Sequence, residues 1–209
     1  MKRLFLVVIA LLMVSSLSAQ EWQKNIFGVR AGLNVSSFST SYDEDLDVRT
    51  AFHVGFNYER LLAKNLPLYL ETGLQLSAKG AQYNDFGEAQ YTCDAYYLEV
   101  PLMLNYKINI KDVVTLYPSA GFYGAYGVGG KFKYEEVGSE WEVDTFSEEG
   151  GVQNWDFGYR LSASAAYKRI TLTIGYEGGI SDIVDEASEE FVVGKMKNQN
   201  FFISLGFNF

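Results

Sequence analysis

Eight times along the chain, bulky apolar residues take every second position while Gly, Ser and charged residues fill the places between. A period of two sends alternate side chains to opposite faces of a strand, so each segment has one bulky apolar face and one small polar face. The segments are 27–36, 52–59, 68–77, 97–106, 114–122, 156–167, 170–177 and 201–209. In the first, Phe27, Val29, Ala31, Leu33 and Val35 oppose Gly28, Arg30, Gly32, Asn34 and Ser36. The last, "FFISLGFNF", sets Phe201, Ile203, Leu205, Phe207 and Phe209 against Phe202, Ser204, Gly206 and Asn208. An even number of such strands is usual for a closed single-chain barrel.

The connections alternate in length. Those after the second, fourth and sixth segments ("LLAKNLP", "KINIKDV" and "KR") are short, whereas 39–50, 80–95, 128–154 and 183–198 are long. Counted with Asp182, the long connections hold 19 of the 26 acidic residues. The short-turn side carries Arg60, Lys64, Lys107, Lys111, Lys168 and Arg169 against Asp112 alone. The stretch "KFKYEEVGSEWEVDTF" has the pattern of a hairpin extending the fifth and sixth strands, which makes ten strands the rival count.

Alternation alone admits two barrels: one with its apolar face around a cavity, as in a soluble carrier, and one with that face in lipid. Three features favour lipid. An eight-stranded barrel has room inside only for side chains, which suits the small polar parity. Aromatic residues mark both ends of the apolar parity: Phe27, Tyr58, Tyr106, Tyr167 and Phe209 at the short-turn end, and Phe52, Tyr126, Phe157 and Phe201 at the other. Two such rings are expected at the interfaces of a bilayer. A final strand closing on the first also seals a membrane barrel, and Phe209 then stands at the seam.

The first residues, "MKRLFLVVIALLMVSSLSAQ", join a basic start to a short apolar stretch and small residues, the pattern of a cleaved secretory signal over 1–19. Residues 20–209 are then a single barrel domain. Cys93 is the one cysteine, so no internal disulfide forms. Fifteen Phe, 15 Tyr and 20 Gly suit strands and turns, and a net charge of −9 excludes a basic nucleic-acid footprint.

The segments "GVRAGLNVSSFS", "FHVGFNYE", "LETGLQLSAKGAQY", "YYLEVPLMLNYKI" and "FFISLGFNF" resemble the small outer-membrane β-barrel family common in Bacteroidetes, often labelled porin-family or PorT-type. "YLEVPLMLNYK", a strand with proline at a fixed place, is the most telling of these. The resemblance implies an all-β, closed, antiparallel, up-and-down transmembrane barrel with short periplasmic turns and long extracellular loops in the bacterial outer membrane. It implies partners in outer-membrane lipid, lipopolysaccharide and the assembly machinery, which reads the terminal aromatic strand and hence Phe209. It implies no activity, cofactor or catalytic residue.

The polar parity gathers Arg30, His53, Glu59, Glu71, Glu99, Arg160 and Glu177. Charges in a narrow barrel are costly unless paired, so an ion-paired plug is the expectation and a gated, cation-preferring path the rival. His53, the sole histidine, excludes a multi-His metal site; a rim-located hydrolase or acyltransferase would have to use it. "DEDLD" (43–47) lacks the Gly and the closing acid of an EF-hand. With "EEVGSEWEVD" and "DEASEE" it reads as a solvated acidic crown, where Tyr42, Tyr134 and Trp141 are candidates for contact with an unidentified surface partner. Pro101 and Pro118 each remove a ladder donor, so a bulge or a skipped hydrogen bond is expected at each.

Overall fold

A computed structural model describes residues 22–40, 46–63, 66–85, 89–111, 113–136, 139–184 and 195–209. The expected signal segment lies outside the described residues, as do Tyr42, 43–45 of the first acidic run and 185–190 of the last. The strands are β1 (Asn25–Thr40), β2 (Asp47–Ala63), β3 (Leu66–Asp85), β4 (Ala89–Tyr106), β5 (Ile108–Ile110), β6 (Val114–Gly129), β7 (Lys131–Glu136), β8 (Ser139–Asp144), β9 (Trp155–Tyr167), β10 (Ile170–Gly179) and β11 (Met196–Asn208).

Eight of these form the barrel. β1, β2, β3, β4, β6, β9, β10 and β11 pair in sequence order, all antiparallel, and β11 pairs back onto β1. The β7–β8 hairpin stays outside the ring, with β7 on the outer extension of β4 and β8 as a free edge in the strand order. The count is therefore eight rather than ten.

The register fixes the tilt. Partners followed once round run Phe27, Tyr58, Thr72, Leu102, Phe122, Tyr159, Gly178, Gln199 and then Ser37, ten residues further along β1. A stagger of ten over eight strands tilts them by about 43° and leaves an interior wide enough for packed side chains or one small ligand, not for the open channel of larger barrels. One parity of every barrel strand faces out: Phe201 is 64% exposed and its neighbour Phe202 is 7%. A one-residue slip would exchange the faces, so the pattern also pins the register.

Both prolines sit where pairing lapses on one side without any shift of register. The β3–β4 ladder passes from Thr72↔Leu102 to Gln75↔Glu99, leaving out Pro101. The ladder along β6 passes from Asn105↔Ser119 on β4 to Ile108↔Leu116 on β5, leaving out Pro118. Across the other edge of each strand the ladder is continuous, through Pro101↔Tyr123 and Pro118↔Ala163. The missing donors are accommodated by skipped bonds and not by bulges.

Among the described residues, the connections 80–95 and 128–154 expected from the sequence are in good part strand. β3 and β4 continue to Asp85 and from Ala89, and β7 and β8 broaden this extension into a four-stranded sheet. From Asp144 the chain turns back: Val152 bridges Val184 over the outer mouth. Phe38, Ala81, Cys93, Val152 and Ile183 form a buried apolar cluster there, packed by Leu46, Phe132, Phe146 and Met196. Gly127 makes this possible, since a Cβ on it would lie 2.3 Å from the Phe146 ring.

Candidate functional site

Inward-facing polar residues form two charged clusters with a waist of small residues between them. Near the short turns, Arg30 Nη2 meets Glu71 Oε1 at 2.7 Å and Lys107 Nζ meets Glu59 Oε2 at 2.7 Å. Asn105 Nδ2 donates to Glu71 at 2.7 Å, and Lys107 also lies 4.4 Å from the Tyr69 ring centroid. In the outer half, Lys79 Nζ is shared between Glu99 at 2.9 Å and Glu177 at 3.0 Å. Arg160 bonds the same two carboxylates, at 2.8 Å to Glu99 and, through Nε, 2.6 Å to Glu177. Alternating charges round this closed square let each ion face two partners, which offsets the desolvation of burying all four. Gln75 and Asn200 donate to Glu99 and Glu177 at 2.7 and 2.9 Å.

The structure thus places Arg30, Glu59, Glu71, Glu99, Arg160 and Glu177 inside, divided between the two clusters. Two members escaped the sequence reading. Lys79 lies just past the end of the third alternating segment, and Lys107, assigned to the basic inner rim, instead turns inward and is 6% exposed. Its Nζ finds a carboxylate and two aromatic faces there, a better setting than the rim for a long side chain at an inward position.

His53 is buried between the clusters. Asn34 Nδ2 donates to Ser77 Oγ at 3.0 Å and to the Ala78 carbonyl at 2.8 Å, so Asn34 Oδ1 is the atom that meets His53 Nδ1 at 2.8 Å. His53 Nδ1 therefore carries the hydrogen, and Nε2 accepts from Ser204 Oγ at 2.5 Å. Ser204, His53 and Asn34 have the outline of a nucleophile, a base and its orienting group. The location does not suit catalysis: His53 is 3% exposed, it packs edge-on to Phe202, and a Cβ on Gly32 would lie 2.7 Å from its ring. His53 thus lies inside the barrel with the rest of the polar parity, away from the rim that a hydrolase or acyltransferase would need, and no carboxylate among the described residues bonds it.

The void beside Arg30, Asn57, Tyr117 and Ser204 holds about 10 Å³, one water's worth. Among the described residues, polar side chains pack below this level and the apolar cluster lies above it.

Outside, Phe27, Tyr58, Tyr167 and Phe209 lie at the short-turn end, and Tyr106 is partly exposed on the same side. Phe52, Tyr126, Phe157 and Phe201 are exposed at the outer end, level with Val35 of β1. Eight residues of strand tilted by about 43° separate Phe27 from Val35, roughly 20 Å of height at 3.3 Å per residue. Between these levels every barrel strand presents exposed Val, Leu, Ile or Phe. Phe209 donates its backbone N–H to the Phe27 carbonyl at 2.8 Å, at the closing seam.

Of the acidic residues at the outer end, Glu135, Glu142 and Asp144 of the expected crown are exposed, as are Glu148 and Glu149 beyond it. Asp94 instead pairs with Arg49, and Asp156 and Asp182 accept hydrogen bonds within the fold. Glu142 receives a hydrogen bond from Lys131, which holds its carboxyl below the usual carboxylate range.

Comparison with solved structures finds likeness to a major outer membrane protein from Thermus thermophilus, at 13% identity and a TM-score of 0.49, covering 90% of this chain and 100% of that one. Ail, the attachment invasion locus protein of Yersinia pestis, gives 14% identity and a TM-score of 0.48 with the same coverage. Neisserial surface protein A gives 13% and 0.47, covering 88% and 97%. No curated protein matches the sequence. The model of the outer membrane protein beta-barrel domain matches residues 18–185. With a closed eight-stranded ring, an apolar exterior and a polar interior all on the same chain, that match establishes the protein as a member of the outer membrane β-barrel family, built to reside in the bacterial outer membrane.

Proposed function

We propose that the protein is a non-enzymatic, filled barrel that anchors an acidic outer sheet at the cell surface for contact with other molecules. The observation that carries this reading is the pairing of the inward charges into two clusters, with a void of only about 10 Å³ beside Arg30 and Ser204, against an aqueous channel in wider barrels. Outer-membrane lipid and lipopolysaccharide surround its apolar belt, and the assembly machinery inserts it through the aromatic-rich β11. The narrower kinship with the Bacteroidetes porin-like members belongs to the same reading and rests on "YLEVPLMLNYK".

The outer sheet of β3, β4, β7 and β8 supports the surface role. Tyr83, Tyr91, Tyr134 and Trp141 line one of its faces, with Tyr91 4.9 Å from Tyr134 between ring centroids, and Trp141 is half exposed at the free edge. Aromatic side chains at an exposed edge are strong contact residues.

Planar-bilayer recording tests the filled interior. The filled barrel gives no unitary steps; regular, cation-selective steps from the wild-type protein would replace this reading with that of a narrow pore.

A further inference from the structure

Charges in the outer half of the barrel do not balance. Lys79 and Arg160 stand among Glu99, Glu177 and Asp156, and both cations are already shared between the two glutamates. Elsewhere the pairing is one to one: Arg30 with Glu71, Lys107 with Glu59, and Arg49 with Asp94. Asp156 is fully buried and has no ion-pair partner among the described residues.

Neutral groups hold it. Tyr123 Oη and Asn198 Nδ2 donate to Oδ2 at 3.0 and 2.9 Å, and Ser181 Oγ donates to Oδ1 at 3.1 Å. Asn198 is 1% exposed, and its Oδ1 has no donor among the described residues. The amide that donates to the carboxylate therefore sets a second, unsatisfied oxygen beside it. A surplus negative charge and a surplus acceptor meet at one buried place, where each alone is costly.

We propose that Asp156, with Asn198 Oδ1 and Ser181 Oγ, holds a small monovalent cation, Na⁺ or K⁺, as a structural ion in the outer half of the barrel. Hard oxygen donors suit a hard cation. One carboxylate supplies the single charge that a monovalent ion cancels, whereas Ca²⁺ takes six to eight oxygens in sites whose affinity rises with carboxylate count. Ser181 Oγ accepts the Phe157 N–H at 2.8 Å and keeps its second lone pair for the ion while its hydrogen remains on Asp156.

The test uses the folded full-length barrel in zwitterionic detergent, following thermal loss of its compact gel mobility. NaCl or KCl is titrated against choline chloride at constant ionic strength. The midpoint temperature rises saturably, by several degrees, with Na⁺ or K⁺ in the wild type and stays flat in the isosteric Asp156→Asn. Ser181→Ala needs several-fold more cation for the same rise. A wild-type midpoint indifferent to the cation, as a proton on Asp156 would give, overturns the proposal. So does a cation response retained in Asp156→Asn or, should that variant not fold, a half-saturating concentration unchanged in Ser181→Ala.

Discussion

Along β1 the inward positions run Arg30, Gly32, Asn34 and Ser36 and then Phe38; along β11 they run Ser204, Phe202, Asn200 and Asn198 and then Met196. The outward positions change in the opposite sense, from Leu33 and Val35 to Ser37 and Ser39, and from Ile203 and Phe201 to Gln199 and Lys197. Within the apolar belt these strands are mostly polar inside, Phe202 excepted, and beyond the outer aromatic level the same strands are apolar inside. The difference lies in the surroundings. Lipid gains nothing from a polar exterior, so polar groups pair inside; water rewards the reverse, so an ordinary hydrophobic cluster forms once the strands rise above the belt.

The two closures should fail differently, and removing an acid from the ionic square should cost most. Glu177→Ala leaves Lys79 and Arg160 with Glu99 as their remaining shared counterion. Breaking a buried pair in this way costs about 3–5 kcal/mol, read as a lower urea midpoint for loss of the folded gel form. A loss below about 1 kcal/mol, the range of a solvent-exposed pair, would mean that water already reaches the square.

Ile183 is fully buried in the outer cluster, and its truncation to Ala removes packing that no ion replaces. A loss of about 2–4 kcal/mol is expected for such a cavity, together with faster proteolysis of the outer segments. Conductance should stay at zero, because the square and the inner cluster remain. Channel steps from Ile183→Ala would show that the apolar lid is the real seal.

Gly32→Ala attacks the polar region from the backbone. The new Cβ would lie 2.0 Å from the Ile203 carbonyl and 2.7 Å from the His53 ring. Overpacking of this kind costs about 1–3 kcal/mol. In the double variant Gly32→Ala/His53→Ala, the ring's share of the clash is gone while the carbonyl's share stays, so partial recovery of the urea midpoint is the expected result.

What the sequence made legible follows the same division. Strand parity, the count of eight and the inward placement of Arg30, Glu99 or Glu177 follow from alternation, because a two-residue period has only two faces. Partnership does not follow from it: Lys79 meets Glu177, and Arg160 meets Glu99, through a ten-residue stagger that no single strand encodes. Lys107 reads as rim because it sits in a short turn, and only the register turns it inward. The outer strands are hidden because their polarity inverts at Phe38, Ala81, Cys93 and Met196, which breaks the parity rule where acidic residues and glycine make the chain resemble a loop.

The smallest effect belongs to the β7–β8 hairpin, which lies beyond both closures. Lys131 and Glu142 are each more than half exposed, so their ion pair is screened and weak. The hydrogen bond from Lys131 lowers the Glu142 pKa in the folded protein. Its contribution is therefore complete above the unfolded carboxylate value and disappears as pH falls through the lower folded value. An NMR titration should place the Glu142 midpoint below the ordinary value for Glu, move it back up in Lys131→Met, and move it up again in the wild type as salt is added. Thermal stability of the barrel should be unchanged by Lys131→Met, since the pair touches neither the ionic square nor the apolar lid. A measurable drop would tie the hairpin to the outer cluster through Phe132, the β7 residue that packs against it.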